Sequence, residues 1–290
     1  MDTAELLKKV RKIEIKSRGL SNQIFSGEYH SAFKGRGMAF SEVREYMPGD
    51  DIRTIDWNVT ARFNHPYIKV FEEEREMTVM LLVDVSASEN FGTQKQFKKE
   101  LITELCAVLA FSAIQNNDKI GVIFFSDKIE KYIPPKKGKS HILLIIRELI
   151  EFTPQHKKTN ITLALQFFTN VIKKRCTAFV ISDFMDEKEF SDALKIAGKK
   201  HDTIALRIYD KHENELPKMG LVKFFDAESG ELKWVDTNNA TVRKNYFVQA
   251  KTREEKLIST FNKSGIDIAH INTQEAYIKP LMNLFKKRGK

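Results

Sequence analysis

Thr78-Val79-Met80-Leu81-Leu82-Val83-Asp84-Val85-Ser86-Ala87-Ser88 runs from an apolar segment into an aspartate followed by two serines at alternate positions. An uninterrupted apolar run of this length reads as a β-strand covered on both faces, as in a parallel sheet. Similar short runs recur at 120–125, 178–181 and 203–208, and helical patterns fit between them at 95–115, 141–151, 161–173 and 187–199. The 95–115 segment is apolar around most of its circumference, which suits a helix packed on the sheet. Alternation of strand and helix implies parallel strands joined by right-handed crossovers. The predicted fold class is therefore α/β, a doubly wound, mostly parallel sheet.

Both ends of that pattern are elaborated. Segments 221–226 and 231–235 flank Ala227-Glu228-Ser229-Gly230 and read as a β-hairpin, an insertion at about 217–238. A helix at 253–263, a strand at 267–271 and a closing helix from about Thr273 complete the main domain, taken as 77–290. Upstream, Leu6, Leu7, Val10 and Ile13 recur at helical spacing. Residues 19–76 read as short strands and turns around Pro48-Gly49-Asp50-Asp51, with a strand at 67–71 and an acidic run at 72–76. Residues 1–76 are expected to form a segment packed on the main domain.

Composition narrows the setting. A chain of 290 residues with 42% apolar and 30% charged residues can bury a sizeable core without staples. Its two cysteines, Cys106 and Cys176, lie in apolar segments and form no CxxC pair, so a reducing cytoplasm is expected. Residues 1–16 carry Lys8, Lys9, Arg11 and Lys12 without the apolar run of a secretory signal. The longest apolar stretch, 105–114, is broken by Ser112 and too short to cross a bilayer. The net charge of +9 comes from lysines scattered through the chain, denser near the N-terminus and at 286–290, with no concentrated stripe interleaved with aromatics, so specific nucleic-acid binding is not expected.

The chemistry centres on Asp84, Ser86 and Ser88. In doubly wound sheets ligands sit beyond the carboxyl ends of the strands. Carboxylate and hydroxyl oxygens are hard donors that suit Mg²⁺, Mn²⁺ or Ca²⁺ better than zinc. The same residues also serve as ordinary caps and turns. Two further positions bear on that choice. Thr159 lies in Lys158-Thr159-Asn160-Ile161 ahead of a helix, where the plain alternative is an N-cap, and Asp183 follows the strand at 178–181.

Asp84, Ser86, Ser88, Thr159 and Asp183 together resemble the metal-ion-dependent adhesion site of von Willebrand factor A domains. That resemblance implies that Ser86, Ser88 and Thr159 touch a divalent cation while Asp84 and Asp183 neutralise it. It also implies an open coordination position that an Asp or Glu of a protein partner completes. A second resemblance covers nearly the whole chain. Gly35-Arg36-Gly37, the stretch from Arg44 to Trp57 (Arg-Glu-Tyr-Met-Pro-Gly-Asp-Asp-Ile-Arg-Thr-Ile-Asp-Trp), Thr60-Ala61-Arg62 and Val70-Phe71-Glu72-Glu73-Glu74-Arg75-Glu76 look like the bacterial family called domain of unknown function 58. Its members join such a signature to a von Willebrand factor A-like domain and often occur beside MoxR-type AAA+ ATPases. Many carry N-terminal membrane helices, from which this chain departs. Within the signature, Arg44, Tyr46, Asp50, Asp51, Arg53, Asp56 and Trp57 form either a salt-bridged docking turn or a partner-facing surface.

The expectation is a non-enzymatic, metal-dependent interaction module working with a MoxR-type ATPase in complex assembly or maturation. The rival is a metal-dependent phosphohydrolase using Asp84 or Asp183. A haloacid-dehalogenase-type enzyme needs a carboxylate two residues after the first Asp, where this chain has Ser86. Gly138-Lys139-Ser140 ends like a P-loop, but Ile133 stands where its first glycine belongs, and the neighbouring Pro134 and Pro135 suggest a kinked loop. No Gly-x-Ser-x-Gly elbow or HExxH pair occurs.

Overall fold

The computed structural model describes residues 11, 13, 14, 17, 39–72, 77–86, 98–156, 158–186, 188–225 and 232–288. Two compact units divide the chain, Lys34–Met77 and Met1–Phe33 with Thr78–Lys290. Leu6, Leu7 and Val10 of the expected opening helix, Gly35-Arg36-Gly37, 73–76 and the hairpin turn at 227–230 lie outside the described residues.

In the smaller unit, β1 (Ala39–Glu45) pairs antiparallel with β2 (Tyr67–Glu72), with a bulge between Phe40 and Glu42. Between them lie a 3₁₀ turn, Ile52–Thr54, and a short helix α1, Trp57–Phe63. Capping explains both. Asp51 accepts from the Arg53 amide, and Asp56 accepts from the amides of Asn58 and Val59.

The larger unit is built on a six-stranded sheet. Its strands are β3 (Thr78–Asp84), β4 (Lys119–Phe125), β5 (Ile129–Lys136), β6 (Thr177–Ser182), β7 (Asp202–Tyr209) and β10 (Asp267–Asn272). Their spatial order is β10-β7-β6-β3-β4-β5, and every pairing except β4 with β5 is parallel. The helices are α2 (Lys98–Gln115), α3 (Lys139–Glu151), α4 (Ile161–Val171), α5 (Ser191–Lys200), α6 (Ala240–Ser264) and α7 (Ile278–Arg288). A separate hairpin, β8 (Leu221–Phe225) with β9 (Leu232–Asp236), precedes α6. No helix among the described residues is long and apolar enough to cross a membrane.

The sheet is dry on both faces. Met80, Leu82, Ile123, Val180 and Ala205 pack with α4, α5 and Phe261 of α6. Alternate residues such as Leu81, Val83 and Phe124 are also fully buried, and Phe179 meets Phe285 of α7 edge-on at 6.4 Å. Helix α2 is buried nearly all round, as its sequence requires.

In the smaller unit helix α1 replaces the strands and turns expected there, and in the larger unit two elements differ clearly from the sequence reading. Residues 129–136, read around Pro134 and Pro135 as a kinked loop, form the antiparallel edge strand β5. An edge strand tolerates proline because its outer N–H groups are not needed by a neighbour. The register slips between Ile120 and Val122, where a Cβ on Gly121 would lie 2.8 Å from the Pro135 nitrogen and 2.9 Å from the Ile133 carbonyl. Helix α6 is 25 residues long and begins at Ala240 rather than near 253. Asn239 caps it by accepting from the Thr241 amide. Its first half escaped notice because Phe247 and Val248 are exposed and mark no apolar stripe.

Candidate functional site

The crossover from β3 leads to β4 on one side, whereas the crossover from β6 leads to β7 on the other. Chains therefore diverge beyond the adjacent carboxyl ends of β3 and β6, which opens the crevice where α/β sheets place ligands. Asp84 ends β3, and Asp183 directly follows β6. Both are buried.

The local hydrogen bonds hold these carboxylates in place. Ser182 Oγ donates to Asp84 Oδ2 at 2.7 Å and accepts from the Phe184 amide at 2.9 Å. The Ser86 amide donates to Asp84 Oδ1 at 2.9 Å, and Ser86 is itself fully buried. Asp183 Oδ1 accepts from the Met185 amide at 3.0 Å. Between them Phe184 adopts a left-handed backbone, φ 58°, uncommon for a bulky residue and worth about 1 kcal/mol or more of strain. That turn sends the Phe184 ring into the core against Phe261, at 5.1 Å between centroids, while Asp183 stays at the strand end.

Thr159 is brought to the same end of the sheet by its neighbours. The Asn160 amide donates to the Ser126 carbonyl, one residue beyond β4, at 2.9 Å. The Ile161 amide donates to Asp186 Oδ2, three residues past Asp183, at 2.8 Å. The expected alternative, Thr159 as N-cap, is corrected: Asn160 caps α4 by accepting from the Leu163 amide at 3.0 Å. The Thr159 hydroxyl is released from that task. It is buried with no hydrogen-bond partner among the described residues. Ser88 lies outside the described residues.

Electrostatically the site is crowded with negative charge. Burial, then the nearby Asp183 charge, push the Asp84 carboxyl up to about 7, against the hydrogen bonds from Ser182 and Ser86. Lys98 of α2 has a fully buried side chain whose Nζ lies 2.9 Å from Asp183 Oδ2 and 2.5 Å from Glu213 Oε1. Burial raises the Glu213 carboxyl above its ordinary range despite Lys98. A cavity of about 30 Å³ beside Asp84 and Ser86 has room for roughly one water molecule. Among the described residues no three His, Cys, Asp or Glu side chains converge in a metal-binding group. The donors gathered here are instead two carboxylates and hydroxyls. This set of hard oxygen donors, with one buried hydroxyl lacking a partner, fits an oxygen-seeking divalent cation.

Sequence reasoning missed Ser182, Lys98, Asp186 and Glu213. Glu213 had a local signal, since Asp210-Lys211-His212-Glu213 forms a capping box. Of the signature residues, Arg44, Tyr46, Asp50, Asp51 and Asp56 make hydrogen bonds within their own unit. Arg44 donates to both oxygens of Asp50 at 2.8 Å, which holds the Asp50 carboxyl below its usual range. Asp50 also accepts from the Met47 amide, and the Tyr46 amide donates to the Pro66 carbonyl. Burial would raise the Asp56 carboxyl, but the Val59 and Asn58 amides and Lys69, at 3.4 Å, together hold it low. Arg53 and Trp57 are exposed.

Comparison with known proteins bears on fold and family. The family model described as "Protein of unknown function DUF58" matches residues 42–256. An uncharacterized protein of Mycobacterium tuberculosis, Rv1480, is 25% identical over 99% of this chain and 91% of its own length. The structure of an aerotolerance-related membrane protein from Bacteroides fragilis matches with a TM-score of 0.50 at 16% identity, covering 73% of this chain and 99% of that one. The conserved hypothetical protein BatB of Bacteroides thetaiotaomicron gives 0.47 at 16% identity, over 73% and 98% of the two chains. At such identity these likenesses concern fold alone. The sheet order and crossovers are those of a von Willebrand factor A-like domain.

Proposed function

The chain belongs to the DUF58 family, and from that premise we propose that it is a non-enzymatic protein-interaction module that works through a bound divalent cation. Asp84, Ser86, Ser88, Thr159 and Asp183 would hold Mg²⁺, or Mn²⁺ or Ca²⁺ in its place. The cation would supply an open coordination position to an Asp or Glu of a protein partner. The observation that carries this reading is the Thr159 hydroxyl, buried without a partner at the end of the sheet where Asp84 and Asp183 lie. A buried hydroxyl left unsatisfied is costly, and a cation is the partner that the surrounding carboxylates favour. Ser86, where a phosphotransfer enzyme of the haloacid dehalogenase type needs its general acid, favours adhesion over chemistry. The family resemblance suggests a MoxR-type AAA+ ATPase as the partner system, in assembly or maturation of a complex. A cytoplasmic setting suits two free, buried cysteines.

Affinity capture from native lysate tests this. With Mg²⁺ present the chain should retain a partner that EDTA releases, and Ser86→Ala with Thr159→Val should lose it while circular dichroism stays native. Capture indifferent to EDTA and to both substitutions overturns the proposal. Turnover of a phosphoester by the purified chain, lost in Asp84→Asn, would establish the enzyme reading instead.

A further inference from the structure

Lys98 of α2 has a side chain with no solvent exposure. A buried ammonium is tolerated only when its charge is matched. Among the described residues, two acidic partners come from different elements. Asp183 follows β6, and Glu213 stands in the 3₁₀ turn after β7. Glu213 is itself anchored. Its Oε2 accepts from the Asp210 amide, the other oxygens of that box tie to His212 and Thr273, and its backbone carbonyl accepts from Tyr246 of α6. Lys98 thus rests between a fixed carboxylate and one that the proposed cation would also claim.

We propose that Lys98 is a tethered counter-cation that sets the affinity of the site. In the cation-free chain its ammonium balances Asp183 and keeps the crevice folded. When a divalent cation takes Asp183, Glu213 retains the ammonium, so the two positive charges are held side by side and the affinity is lowered. Lys98 is a positioning and tuning residue in this scheme, not a ligand. The inference rests on the metal-site reading above, and the test separates the two.

Calorimetric titration with Mn²⁺ and with Mg²⁺ would compare wild type, Lys98→Met, Glu213→Gln and the double variant, with thermal unfolding in EDTA alongside. Removing the ammonium should tighten Mn²⁺ binding by about tenfold or more, since a unit charge a few ångströms from a dication is strongly repelled at protein-like dielectric. The same variant should unfold at lower temperature in EDTA, because buried Asp183 and half-buried Glu213 lose their counter-charge. Glu213→Gln should weaken Mn²⁺ binding relative to wild type. If Lys98→Met alone does not fold, the double variant removes both members of the buried pair, and should bind Mn²⁺ more tightly than Glu213→Gln. Wild type that binds Mn²⁺ while both Lys98 variants bind no tighter than their Lys98-containing parents overturns the role of Lys98 and leaves the metal site standing. No binding to any of the four overturns the metal site itself.

Discussion

Replacing Thr159 by valine swaps the hydroxyl for a methyl of nearly the same size. The hydroxyl is buried, has no hydrogen-bond partner and does not cap α4, a task that falls to Asn160. A buried polar group left unsatisfied costs about 1–3 kcal/mol, so Thr159→Val in EDTA should be more stable than wild type, by about 1 kcal/mol. At this chain length that is a rise of roughly 2–4 °C in the unfolding midpoint. With cation the sign reverses. A ligand present at a hundred times its dissociation constant stabilises the folded state by about 2.7 kcal/mol, and the variant, short of one oxygen donor, should forfeit most of that. The two midpoints should therefore cross, valine above threonine in EDTA and threonine above valine in excess Mg²⁺ or Mn²⁺. Calorimetric unfolding of both chains in both buffers reads all four values. A valine variant destabilised in EDTA would mean that the hydroxyl does structural work, and one stabilised by cation as fully as wild type would mean that Thr159 is no ligand. Either result refutes the reasoning.

Two predictions concern the scaffold. Gly121→Ala should destabilise the larger unit by about 1–3 kcal/mol, the usual cost of overpacking, because its Cβ would meet the Pro135 nitrogen at 2.8 Å and the Met80 sulfur at 2.9 Å; denaturant unfolding measures it, and an unchanged midpoint would show that β5 yields freely. Burial, with Lys200 and Arg175 nearby, depresses the imidazole of His201 from 6.5 to about 4. The folded chain therefore binds fewer protons than the unfolded one between those values, and stability rises with pH. The contribution is complete above about 6.5 and is lost as pH falls towards 4, a loss of about 2 kcal/mol between neutrality and pH ~4.5. His201→Gln should flatten that part of the stability profile, and a profile equally steep in the variant would place the effect elsewhere.

Five of the six main-sheet strands were legible as short apolar runs, most of them nearly unbroken, as parallel strands covered on both faces require. The sixth, β5, was hidden by Pro134 and Pro135, whose usual meaning, a break, gives way at a sheet edge where one row of N–H groups has no neighbour to serve. The carboxylates of the site were legible for a related reason. Asp84 and Asp183 sit where apolar strands stop, and a carboxylate placed at that point faces the crevice between diverging crossovers. Thr159 could be named but not assigned, since threonine ahead of a helix caps as readily as it binds; only Asn160 taking the cap settled which task was already filled.

Lys98 presents the opposite case. It lies 85 residues from Asp183, and no local pattern joins them. Yet position 98 is odd on its own terms, because an ammonium is costly to take out of water. Surface lysines avoid that cost by staying in water, whereas this one has no exposure at all. A residue that breaks that rule must be compensated from elsewhere, and sites where local and global preferences disagree are where function is most often found. Asp183 and Glu213 provide the compensation, but each could have been neutralised more simply by a neutral side chain. Retaining two buried acids and a buried base in one crevice makes sense if one of the acids is meant to change partners, from the ammonium to an incoming cation.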